Sequence, residues 1–191
     1  MKKINTKIVL GFIALIFICF TTCNMENPIM EKWWVDPDPH DPYAFFQNIK
    51  VITIQYVIFA GNQTEFNNPT PGPGASTSLP VPTVNFNTAI IEMAAQLLND
   101  NPEYRVMLHG HANPTTADPA EIPDLVSISM SRAISTSDAL REEFKLKGGL
   151  ANELNARMRI EGYGGGMTIN DPNNPEVNRR VEVLIFTIEN I

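Results

Sequence analysis

The stretch from Tyr104 to Ala133 constrains the fold of this chain more than any other. Tyr104, Val106 and Leu108 alternate with Arg105, Met107 and His109, the two-residue period of a half-buried strand. The strand runs into His109-Gly110-His111-Ala112-Asn113, and a Pro-rich loop follows. Pro123 suits the first turn of a helix. Over Asp124 to Lys147 the residues Leu125, Ile128, Thr136, Leu140 and Phe144 line one helical flank, and Gly148-Gly149 ends the run as a C-cap. Strand end, loop and helix flank can converge on one small polar pocket. Arg132 falls on the same flank, between Ile128 and Thr136. Burying an unpaired charge is costly, so this guanidinium calls for a carboxylate partner or an anionic ligand group.

The rest of the chain supplies the remaining layers. Asn48 to Ala60 is rich in β-branched and aromatic residues and has the length of a strand. Residues 61–84 carry a cluster of Pro and Gly and are expected to form a mobile surface loop. Asn85 to Asp100 places Ile90, Ile91, Ala94, Leu97 and Leu98 on one helical stripe, with Asn87 or Thr88 available as a cap and Pro102 as a stop. Arg157 to Gly162 is a third strand, Tyr163 to Asn178 a Gly- and Pro-rich loop, and Arg180 to Ile188 the last strand. The βαβαββ order predicts an α/β (α+β) two-layer sandwich, a mixed four-stranded sheet with two main helices on one face.

The 191 residues are expected to divide into a leader, a tether and one folded domain, 48–191. Lys2, Lys3 and Lys7 precede an apolar run, Ile8 to Phe20, of about a dozen residues, short for a membrane-spanning helix. Phe20-Thr21-Thr22-Cys23 at its end resembles a bacterial lipobox, with Phe where the commonest version has Leu. The resemblance implies a signal peptide over 1–22 and lipid attachment at Cys23; the alternative is an uncleaved anchor with a chance Cys. Cys19 would leave with the leader, so no disulfide is possible. Removing residues 1–22 takes away three Lys and no acid, so the net charge moves from −7 to −10. Such a balance excludes electrostatic binding to nucleic acid or to an anionic membrane surface; lipid would hold the protein to a bilayer. Residues 23–47 read as a Pro- and Asp-rich tether, roughly 25–30 Å end to end as a coil. Its Trp33-Trp34 and Phe45-Phe46 pairs either pack on the domain or serve as an anchor.

Other chemistries find little footing. His109 and His111 sit at i, i+2, but zinc wants a third ligand and the only other His, His40, is in the tether. Gly162 to Gly166 lies between two strands with no helix to receive a phosphate. Asp171 to Glu176 is explained by turn chemistry. No nucleophile motif is present, so neither an enzyme nor a cofactor is expected.

Three motifs in register resemble the OmpA C-terminal (OmpA/MotB-like) domain family over roughly residues 48–188. Gly110-His111-Ala112-Asn113 stands where the family has Gly-His-Thr-Asp. Ile128-Ser129-Met130-Ser131-Arg132-Ala133 matches Leu-Ser-x-x-Arg-Ala. Gly162-Tyr163-Gly164 and then Asn178-Arg179-Arg180-Val181-Glu182 match Gly-x-Gly and Asn-Arg-Arg-Val-Glu. The resemblance implies a periplasmic domain of an outer-membrane lipoprotein that binds the peptidoglycan stem peptide, with Asn113, Arg132, His111 and Arg180 at the site. In the family an Asp and an Arg clamp the amine and carboxylate of diaminopimelate, one anion and one cation facing a zwitterion. Here Asn113 replaces the Asp, and Leu125 stands where the family often has Asn. Two outcomes are therefore open: a peptidoglycan-binding module, reading diaminopimelate or another stem-peptide residue, or an interaction lipoprotein that keeps only the scaffold.

Overall fold

The computed structural model describes residues 49–113, 122–165 and 175–189. The leader, Cys23, the tether and most of the loop before Pro123 lie outside them. Strand β1 (Ile49–Ile58) is followed by helix α1 (Val81–Asp100), β2 (Arg105–Gly110), α2 (Ile122–Leu146), a short α3 (Ala151–Asn155), β3 (Met158–Gly162) and β4 (Arg180–Ile188). A single 3-10 turn, Pro175–Asn178, leads into β4. Sheet order is β1-β4-β2-β3. β4 runs antiparallel to both β1 and β2, whereas β2 and β3 are parallel. This is the mixed four-stranded sheet with helices packed on it that the element order predicts, with α3 as an addition.

The core lies between one sheet face and the two long helices. Val57, Val106, Leu108, Met158, Val181, Val183 and Ile185 meet Ile90, Ile91, Ala94, Leu98, Ala133, Leu140 and Phe144 in one buried cluster. The alternation expected of β2 is present, but its other face is buried too: Met107 is 2% and His109 4% exposed. β2 is an inner strand, and Met107 sits in a row between Leu184 and Arg159.

Two glycines set how closely α2 approaches the sheet. Gly110 and Gly162 are partners across the parallel pair. A Cβ on Gly110 would come within 1.9 Å of the Ser129 carbonyl oxygen, and one on Gly162 within 2.6 Å of the Met130 nitrogen. Ser129 completes the seam: its hydroxyl donates to the Val126 carbonyl (2.8 Å) and accepts from the Gly164 N–H (2.9 Å).

Helix α1 begins at Val81, four residues before the expected start at Asn85. Pro82 lies in the first turn, where a missing N–H costs nothing. Asn87 is therefore interior and no cap. It is fully buried, its Oδ1 accepts from the Ile58 N–H (3.0 Å), and its Nδ2 donates to the Ile58 carbonyl (2.9 Å). The side chain serves the end of β1 as another strand would. The long loop between β1 and α1 also has a fixed course. Gly61 N–H donates to Thr77 O, Gly72 N–H to Gly61 O and Leu79 N–H to Pro69 O, all within 2.9 Å. The Phe66 N–H donates to Ser135 Oγ on α2.

Candidate functional site

β1 and β2 point the same way, so their C-terminal ends emerge on one side of the sheet. There the folded loop, the residues after β2 and the flank of α2 enclose a cleft of about 220 Å³. Asn62, Asn113, Leu125, Arg132 and Arg179 face it, and Gly74 to Thr77 form the loop wall.

Arg132 is the largest fully buried side chain among the described residues. Its Nε donates to the Gln63 carbonyl (2.8 Å), Nη1 to the His111 carbonyl (3.0 Å) and Nη2 more weakly to the Ala60 carbonyl (3.5 Å). The guanidinium packs 5.4 Å from the centre of the Phe59 ring. Carbonyl dipoles thus supply much of what the sequence led us to expect from a carboxylate. They do not supply a counter-charge. Burial, and then the charge of Arg179, push the Arg132 pKa down to about 9.

Of the four residues expected at one site, Asn113 and Arg132 share the cleft. His111 does not line it, and only its carbonyl is tied to the site, as an acceptor from Arg132 Nη1. Its ring lies in a second polar cluster, which also holds Arg180. Arg180 donates to Glu182 Oε1 through Nη2 (2.6 Å) and Nε (3.0 Å) and lies over the Tyr56 ring. The neighbouring Arg179 is the one that lines the cleft, its Nε donating to the Phe59 carbonyl (3.3 Å). The signal was in the sequence: Val181, Val183 and Ile185 face the helices, and period two puts Arg179 on their side. The loop wall had no such signal, because irregular backbone has no period.

The second cluster occupies the outer sheet face. His109 lies between two acids, Nε2 3.7 Å from Glu161 and Nδ1 3.9 Å from Glu182. His111 Nε2 is 3.5 Å from Glu182, too long for a good hydrogen bond. Tyr163 stacks on the His111 ring, meets His109 edge-on and donates its hydroxyl to Glu161. Burial drives the His109 pKa down to about 4 against the pull of the two acids. Burial would raise Glu182, but His111 and Arg180 outweigh it and hold the carboxyl at about 2. Among the described residues no three His, Cys, Asp or Glu side chains form a metal-binding group.

No protein-family model matches the chain, and no curated protein matches its sequence. Solved structures do. The fold is similar to the OmpA-like domain of FopA1 from Francisella tularensis (TM-score 0.52, 13% identity, 74% of this chain and 76% of that one). Further matches are the peptidoglycan-associated lipoprotein from Burkholderia pseudomallei (TM-score 0.47, 16% identity, 78% and 96% covered) and the periplasmic domain of Helicobacter pylori MotB (TM-score 0.44, 18% identity, 72% and 76% covered). The match to the FopA1 domain supports the assignment: the described residues have the fold of an OmpA-like domain.

Proposed function

We propose that this chain is an envelope lipoprotein, anchored in the outer membrane through Cys23, whose OmpA-like domain lies in the periplasm and binds peptidoglycan non-covalently. It would tie membrane to wall and do no chemistry. The carrying observation is the Arg132 guanidinium, buried without a counter-charge among the described residues and opening into a cleft beside Asn113. A stem peptide has free carboxylate groups, and an Arg fork is suited to them. The three motifs support the reading, since they fall on the strand end, the helix seam and the start of β4 that build the cleft. Lipid is the natural anchor for so acidic a chain.

One observation favours a second reading. Three of the Arg132 N–H groups already bond backbone carbonyls, so the residue has a structural role that would persist in a scaffold that had lost wall binding. Co-sedimentation of the purified protein with insoluble peptidoglycan separates the two. Pelleting with the wall supports the module; a folded protein that stays in the supernatant supports the scaffold.

A further inference from the structure

We propose that the cleft takes a peptide C-terminus whose last residue carries an aliphatic side chain, with the carboxylate on Arg132 and the side chain against Leu125 and Ile128. The proposal rests on the reading of this cleft as the ligand site and names its ligand class.

The carboxylate end follows from donor arithmetic. A guanidinium has five N–H groups. Three of those on Arg132 go to the carbonyls of Gln63, His111 and Ala60, which leaves one on each Nη. The side chain is fully buried and lines the cleft. A carboxylate there supplies both the acceptors and the charge that carbonyl dipoles do not.

The aliphatic end follows from the helix. Leu125, Ile128 and Arg132 are spaced i, i+3, i+7 on α2, one stripe of the helix, and all three line the cleft. Long helical side chains lean toward the helix N-terminus, so the Arg132 guanidinium reaches back toward Ile128. Leu125 stands about 5 Å further along the axis, within reach of a side chain on the carboxylate's own residue. Both aliphatic residues are only half-buried. The core cluster and the residues packed against it include neither. They are the part of the apolar stripe that the core leaves to the cleft, and a methyl buried there adds to the grip of the arginine.

Asn113 supplies the third contact. It lines the cleft beside the stripe, and its amide both donates and accepts, as the peptide group before a C-terminal residue requires.

Isothermal titration of the full-length chain in detergent with acetylglycine, acetylalanine and acetylleucine, as models of a peptide C-terminus, tests this. Acetylalanine is expected to bind about fourfold tighter than acetylglycine, the equivalent of about 0.8 kcal/mol for one buried methyl, and acetylleucine tighter still. Leu125→Asn should narrow the gap between acetylleucine and acetylglycine at least fourfold, and Leu125→Met should keep it. Both variants lie outside the core cluster, so folding does not confound them. Equal binding of all three compounds by the wild type overturns the aliphatic end and leaves the cleft as the ligand site. An undiminished gap in Leu125→Asn overturns it too. If none of the compounds binds while the wall still pellets the protein, the cleft is not the site and the inference falls. Failure of all three and of co-sedimentation removes the peptidoglycan reading as well.

Discussion

Arg132 joins three segments that are far apart in the chain. Its N–H groups hold the carbonyls of Ala60 and Gln63 after β1 and of His111 after β2, from a position on α2. Arg132→Ala would strand these acceptors and leave a cavity, so it should cost on the order of 3 kcal/mol in urea unfolding. Arg132→Lys should recover little, because an ammonium lacks the planar fork. Asn113→Asp is nearly isosteric and should leave stability almost unchanged. Under the proposed function it should improve binding of diaminopimelate-type peptidoglycan about tenfold at low salt, with the gain shrinking as salt rises. Equal pelleting by the two proteins would count against Asn113 as the amine-facing residue. The outer-face cluster predicts an acid response. The folded state keeps His109 neutral down to about pH 4, while an unfolded chain protonates it near 6.5. Below 6.5 the unfolded state binds the extra proton, so stability is lost as pH falls from 6.5 to 4, by roughly 2–3 kcal/mol. Glu182, held near 2 against an ordinary 4.5, continues the loss below that window. His109→Gln should flatten the stability curve between pH 6.5 and 4, as measured by denaturant midpoints. The identity of the buried cation was legible in the sequence, because Arg132 sits on an apolar stripe. The choice between Arg179 and Arg180 was legible too, in the two-residue period that puts Arg179 on the side of Val181 and Val183.

At the scale of elements, periodicity located the strands and long helices to within a few residues. It erred where a residue departed from its habitual role. Pro80 and Pro82 read as breakers, yet Pro80 is the N-cap of α1 and Pro82 lies in its first turn. Asn87 read as a cap, yet it is buried and staples the helix to Ile58. Nothing local distinguishes an Asn that caps a helix from one that completes a strand edge; only the partner does. Asn87→Ala should leave the Ile58 N–H and carbonyl unsatisfied and cost about 2 kcal/mol, with hydrogen exchange at Ile58 accelerating more than at core amides of β2. The Gly-His and Gly-x-Gly motifs also gain a physical cause. Gly110 and Gly162 are bare because α2 lies against them, so Gly162→Ala should push the helix off the sheet and lower the melting temperature sharply.

For the whole molecule, the proposed anchor makes a separate prediction. Cys23→Ser should abolish palmitate labelling and release the protein from the membrane fraction, and normal labelling of that variant would remove the lipoprotein reading. The topology adds a mechanical consequence. Under the proposed function, load would enter the domain where the chain joins β1 at Ile49 and leave through a ligand in the cleft, beyond the other end of the same strand. The line of force then runs along β1, whose pairing with β4 extends from Ile49↔Ile188 to Ile58↔Arg180. Rungs loaded in that direction share the strain in shear and fail together, whereas a pull across the strand would open them one at a time like a zip. β1 is the edge strand that traction would otherwise peel away first, and this arrangement sets its whole ladder against the pull.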